Sequence, residues 1–100
     1  MELCLKPTDI IKYINRNDVL IIDLREKEYY DSGHIPNSIN MPIEFFDIDD
    51  IKFNSYNLII LYCERGNISL LLSRDMLKKG YNAKSLYGGL NFYKGLLTND

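Results

Sequence analysis

Leu58-Ile59-Ile60-Leu61-Tyr62-Cys63-Glu64-Arg65-Gly66-Asn67-Ile68-Ser69 is the stretch that decides the fold. Its first five residues form an unbroken apolar run, which reads as a strand buried on both faces, the habit of a parallel sheet. A helical pattern follows over Ser69 to Lys79. Ser69 is its expected N-cap, Leu72, Met76 and Leu77 its inner face, and Gly80 its stop.

Similar units flank this one. Val19-Leu20-Ile21-Ile22, set between Asn17-Asp18 and Asp23, is a second strand of the same buried kind. Leu3 to Leu5 reads as a short edge strand, Ser38 to Met41 as a short strand ended by Pro42, and Ala83 to Tyr87 as the last strand. Helices are expected from Pro7-Thr8-Asp9 with Ile10, Ile11 and Ile14 on one face, from Arg25 to Asp31, and from Gly88-Gly89 through Leu97. Residues 43–55 read as a short helix plus loop. Strands alternating with helices imply an α/β domain with a mostly parallel sheet and helices on both faces. Ligands of such sheets bind beyond the carboxyl ends of the strands, so Asp23 and Cys63 should share one rim.

One hundred residues are expected to form a single domain, 1–100. A composition of 46% hydrophobic and 26% charged residues is that of an ordinary globular protein. The net charge of −2 argues against a nucleic-acid partner. Apolar runs fall far short of the ~18 residues a membrane span needs. The first residues, Met1 to Pro7, lack a signal-peptide pattern, so a cytoplasmic protein with free thiols is expected. Cys4 and Cys63, with one His, cannot form a disulfide framework or a zinc site of soft ligands.

Cys63 stands between a buried strand and a helix N-terminus, where amide N–H groups and the helix dipole favour an anionic sulfur. The loop behind it contains Gly66-Asn67, residues that tolerate positive φ. Such a loop can turn successive N–H groups inward as an anion nest around the sulfur, suited to a thiolate, a persulfide or a bound oxyanion. On position alone, a reactive thiol and an inert core cysteine are both open readings.

Three segments bear on that choice. Asp23-Leu24-Arg25-Glu26 with Tyr30-Asp31-Ser32-Gly33-His34-Ile35-Pro36-Asn37-Ser38-Ile39-Asn40-Met41-Pro42 resembles the N-terminal signature of the rhodanese homology family. Cys63 to Ser69 is similar to the family's C-x-x-G-x-[RS]-S loop, and Tyr87-Gly88-Gly89-Leu90 to its Gly-Gly turn. The resemblance implies a compact rhodanese-like α/β domain on a five-stranded, mostly parallel sheet. It implies a sulfurtransferase without cofactor, in which Cys63 takes sulfane sulfur from thiosulfate or a similar donor and passes it to a thiol, cyanide or an acceptor protein. Glu64, Arg65, Gly66, Asn67, Ile68 and Ser69 would then supply the backbone cradle, and Asp23 and Arg25 the rim.

The chain departs from the family pattern at three places. Ile68 stands where many members carry Arg, Tyr29 where they carry Glu, and Phe92 or Tyr93 where Trp is usual. The first change removes a cation that would meet a dianion such as thiosulfate, and Arg65 is the candidate to replace it. A phosphatase of related fold needs Arg six positions after its Cys, where this chain has Ser69. A non-catalytic sulfur carrier or a regulatory protein-binding module is the alternative to the enzyme. Asp23 and Arg25 read more readily as an ion pair tying the strand end than as catalysts. His34 reads as a structural imidazole bonded to backbone, and Cys4 as edge packing.

Overall fold

The strand over Leu58–Tyr62 is the spine of the structure, buried at every residue. It pairs in parallel with Val19–Asp23 on one side and Ala83–Leu86 on the other. In this computed structural model, which describes residues 3–100, the strands are β1 (Cys4–Leu5), β2 (Val19–Asp23), β3 (Ser38–Asn40), β4 (Leu58–Tyr62) and β5 (Ala83–Leu86). Their spatial order is β1-β5-β4-β2-β3, and every pairing is parallel. The part of the N-terminal reading that concerns Met1 and Glu2 lies outside the described residues.

Strand residues alternate between two apolar layers, because successive side chains point to opposite faces. Leu20, Ile22, Ile59 and Leu61 face Met76 of α2 (Asn67–Lys78) and Phe53 of a 3-10 turn at Ile51–Ser55. Ile21, Ile60 and Tyr62 face Ile10, Ile35 and Leu86. The five-stranded parallel architecture expected from the sequence is the one observed.

Several local elements differ from expectation. The helix expected after Pro7 is a single 3-10 turn at Asp9–Lys12. Only Ile10 is buried there, and Ile11 is 59% exposed. So short a segment gains too little burial to offset helix nucleation. The last helix likewise shrinks to a 3-10 turn at Gly89–Phe92 before Tyr93 turns extended. The charged helix α1 begins at Lys27 rather than Arg25 and ends at Ser32, because Arg25 is held by Asp23. Residues 43–55 form two 3-10 turns, at Ile43–Phe45 and Ile51–Ser55.

Helix α2 starts two residues before the expected cap. Gly66, at φ 96°, is the N-cap residue, which makes Ser69 the third helical residue rather than the cap. Glycine has no side chain to accept the free N–H groups of the first turn. The amide of Ser69 donates instead to Cys63 Sγ at 3.4 Å. The sulfur thus occupies the acceptor place that a Ser or Asp oxygen fills at an ordinary N-cap.

Met76 is fully buried between α2 and the sheet. Met76→Ala should lower the free energy of unfolding by about 2–5 kcal/mol. Urea denaturation followed by circular dichroism measures this, and an unchanged midpoint would contradict the packing described.

Candidate functional site

The site begins with register. Asp23 and Tyr62 are paired at the ends of β2 and β4, and the Leu24 amide still donates to the Tyr62 carbonyl at 2.9 Å. The chain leaves the sheet on both strands at this level, so Asp23 and Cys63 share one rim as the alternation implied.

Cys63 is 6% exposed. Its sulfur accepts from the Gly66 amide at 3.2 Å and the Ser69 amide at 3.4 Å. The Ser69 hydroxyl lies 3.5 Å from it and 2.7 Å from the hydroxyl of Ser85 on β5. Amide donors and a helix N-terminus converging on one sulfur stabilise negative charge there. Of the residues expected to form the cradle, Gly66 and Ser69 reach the sulfur through their amides. Glu64, Arg65, Asn67 and Ile68 wall a small hollow of about 220 Å³ beside it.

The curl of this loop depends on a second segment. Leu90 and Asn91 donate their amides to the Cys63 and Glu64 carbonyls at 2.9 and 3.0 Å. A Cβ on Gly89 would fall 2.5 Å from the Cys63 carbonyl oxygen and 2.6 Å from that of Glu64, so no side chain fits. The Gly-Gly turn therefore buttresses the cysteine loop through main-chain contact.

A larger hollow of about 440 Å³ opens in front of Cys63, lined by Leu24, Arg25, Glu26, Tyr29, Ile43, Glu64 and Ile68. Arg25 and Asp23 form an ion pair at 2.8 Å with side chains 9% and 0% exposed. The guanidinium also donates to the Gly33 carbonyl at 2.7 Å and stands 3.7 Å from Glu64. Burial favours the neutral form of Arg25, but the hydrogen bonds and charge of Asp23, with Tyr62 and Glu64 nearby, outweigh it and raise its pKa. Asn40 completes the rim by donating to the carbonyls of Asp23 and Arg25.

His34 is buried, stacked on Tyr30 with ring centroids 3.7 Å apart, and its Nδ1 lies 2.7 Å from the Tyr30 carbonyl. It is held by backbone and does not line either hollow beside Cys63. Tyr62 extends under the rim, its phenol accepting from the Ile35 amide at 3.1 Å and lying 3.3 Å from the Ser38 hydroxyl. Burial, with the charge of Asp23 adding to it, pushes that phenol far above its usual range, so it stays neutral. Cys4, half-buried on the edge strand, pairs with Ser85 and is a free thiol, as is Cys63.

Sequence reasoning did not single out Ser85, Gly89 or Asn40 as parts of this site. The one signal for Ser85 was a polar residue at an inward position of Ala83-Lys84-Ser85-Leu86. Gly89 was visible as a turn, but its close approach to Cys63 is a tertiary fact.

This sheet order, with a cysteine loop at the carboxyl rim clamped by a Gly-Gly turn, defines a class of α/β domain. The chain belongs to the rhodanese-like domain family, whose model matches residues 6–95. A tRNA sulfurtransferase of Desulfurococcus amylolyticus is 38% identical over 80 residues, which are 77% of this chain and 15% of that protein. The chain thus spans a small part of that relative's length. The thiosulfate sulfurtransferase GlpE of Coxiella burnetii is 23% identical over 81% of this chain and 77% of its own. The crystal structure of a rhodanese-like domain protein from Staphylococcus aureus superposes with a TM-score of 0.79 at 22% identity, covering 96% of both chains. That likeness is one of fold.

Removing one partner of a buried ion pair leaves the other charge uncompensated. Arg25→Ala should therefore destabilise the protein by about 3–5 kcal/mol. A loss below about 1 kcal/mol in chemical denaturation, the range of an exposed pair, would show that the Asp23 carboxylate does not depend on Arg25.

Proposed function

We propose that this protein is a sulfurtransferase in which Cys63 carries sulfane sulfur as a persulfide. The observation that supports it is the convergence of the Gly66 and Ser69 amides on Cys63 Sγ, with a hollow open in front of that sulfur. Relatives that bear sulfurtransferase names, among them those of Desulfurococcus and Coxiella, support sulfur transfer as the class of reaction.

The chemistry runs in two displacements. The Cys63 thiolate attacks the outer sulfur of a donor such as thiosulfate; a new S–S bond forms, the donor's S–S bond breaks, and sulfite leaves with the electron pair. An acceptor thiolate or cyanide then attacks the outer sulfur of the persulfide and returns Cys63 as thiolate. Both Cys63 species are anionic, and the inward amides offset that charge in each. The Ser69 hydroxyl can accept from a thiol or donate to a thiolate, while Ser85 holds it in place. The loop needs no histidine base in this reading, in keeping with an imidazole committed to the Tyr30 carbonyl.

Arg25 and Asp23 have a positioning part. Their pair ties down the β2 end, and Arg25 Nη1 stands 3.7 Å from Glu64 Oε1 at the rim. A regulatory or carrier module would keep the same cysteine, but it would stop after one equivalent of sulfur, whereas an enzyme turns over.

Incubation with a sulfane donor should add the mass of one sulfur atom to the protein, removable by dithiothreitol, and Cys63→Ser should show no addition by intact-mass spectrometry. Equal sulfuration of that variant would place the acceptor sulfur elsewhere. With cyanide present, repeated thiocyanate release marks the enzyme, and a single equivalent marks the carrier.

A further inference from the structure

Two of the three family departures meet in one place. Tyr29 and Ile68, standing where Glu and Arg are usual, both line the hollow in front of Cys63. Ile43 lines the same hollow, 41% exposed, while Ile68 is 46% and Tyr29 54% exposed. Leu24 forms the floor. Exposed apolar groups gathered around an opening mark a binding surface for an apolar group.

The charge of this mouth does not suit a dianion. Arg25 is the only cation among the described residues that line the larger hollow, against Glu26 and Glu64. Its Nε and Nη2 are already bonded to Asp23 and the Gly33 carbonyl. Its remaining nitrogen, Nη1, lies 3.7 Å from Glu64 Oε1. Glu26 and Glu64 against Arg25 leave the lining net negative, and the buried Asp23 behind it already neutralises that arginine. Arg65 is exposed and does not line the larger hollow, although it borders the smaller one beside Cys63. The Cys63 thiolate adds a further negative charge at the moment of attack.

Resting on the sulfurtransferase reading, we propose that this mouth selects a monoanionic sulfane-sulfur donor bearing an apolar substituent over dianionic thiosulfate. The substituent lies against Tyr29, Ile43 and Ile68, and the sulfane sulfur enters the ring of amides at Cys63. The Cys63 thiolate attacks that sulfur. The bond between it and the sulfur bearing the substituent breaks, and its electron pair leaves as a sulfinate or thiolate. No oxidant enters, and charge balances, since two anions give two anions.

Benzenethiosulfonate and thiosulfate test this, because both offer the same sulfane sulfur while differing in one charge and one apolar ring. Methanethiosulfonate separates the two effects. Each rate of Cys63 sulfuration, followed by intact mass, is divided by the rate of the same donor with free cyanide, which removes intrinsic reactivity. Benzenethiosulfonate should then exceed thiosulfate by roughly tenfold or more, with methanethiosulfonate between them. Added salt should raise the thiosulfate rate more than the monoanion rates, because it screens repulsion. Ile68→Arg should reverse both trends, improving thiosulfate use at low salt and making it fall as salt rises.

Thiosulfate matching benzenethiosulfonate after that correction would overturn the proposal while leaving sulfur transfer intact. So would Arg65→Gln impairing thiosulfate more than benzenethiosulfonate, since that would place a working anion site on the loop. Failure of all three donors to sulfurate Cys63 would instead remove the sulfurtransferase reading on which the proposal rests.

Discussion

Two amides aimed at one sulfur atom set the terms for the rest of the site. Gly66 and Ser69 can both reach Cys63 Sγ only if the loop reverses within three residues. That reversal uses the left-handed backbone at Gly66, a conformation costly for residues with a Cβ. It also presents the Cys63 and Glu64 carbonyls to the Leu90 and Asn91 amides, which donate to them. Buried main-chain carbonyls left without partners would each cost about 1–3 kcal/mol, so the Gly-Gly turn and the cysteine loop stand or fall together.

The same geometry serves the folding of α2. An N-cap acceptor stabilises the start of a helix, and here the sulfur of Cys63 takes that place for α2. A thiolate would accept these bonds more strongly than a thiol does, because hydrogen bonds to an ionised partner are about twice as strong. Hydroxyls extend the arrangement inward, from Ser69 to Ser85 on the neighbouring strand. The sheet register thereby contributes directly to the surroundings of the sulfur.

On the other side of the loop, Asp23 and Arg25 hold the rim. Both are withdrawn from water, and each oxygen of Asp23 is bonded to the guanidinium. Nε and Nη2 of Arg25 are committed to Asp23 and the Gly33 carbonyl and Nη1 lies 3.7 Å from Glu64 Oε1, which leaves its charge little free for a ligand. The ion-pair role read from the sequence corresponds to this geometry. The apolar character of the mouth follows from it, since Tyr29, Ile43 and Ile68 meet no free cation on that wall among the described residues.

Much was legible in the sequence because it is local. The apolar runs at Val19–Ile22 and Leu58–Tyr62 identify buried strands without reference to any partner. Cys63, the Gly66 turn and the Gly88-Gly89 turn are marked by residue type, since few residues do those tasks. The errors were local as well. Ser69 has the chemistry of a cap, yet Gly66 starts the helix, because the sulfur supplies the acceptor that glycine lacks. The helices expected after Pro7 and Gly89 reduce to single turns, because apolar spacing does not reveal how little surface a short segment will cover.

By itself, then, the chain's order of residues determined an alternating α/β domain, its buried strands and a cysteine at a strand end. Those properties depend on neighbours a few positions away. Only the folded state decided that Ser85 lies beside Ser69, that Gly89 presses on Cys63, and that Tyr29, Ile43 and Ile68 line one hollow. Parallel pairing joins segments separated by long crossovers, and which residues then meet is a matter of register and loop path, which no local pattern of side chains encodes.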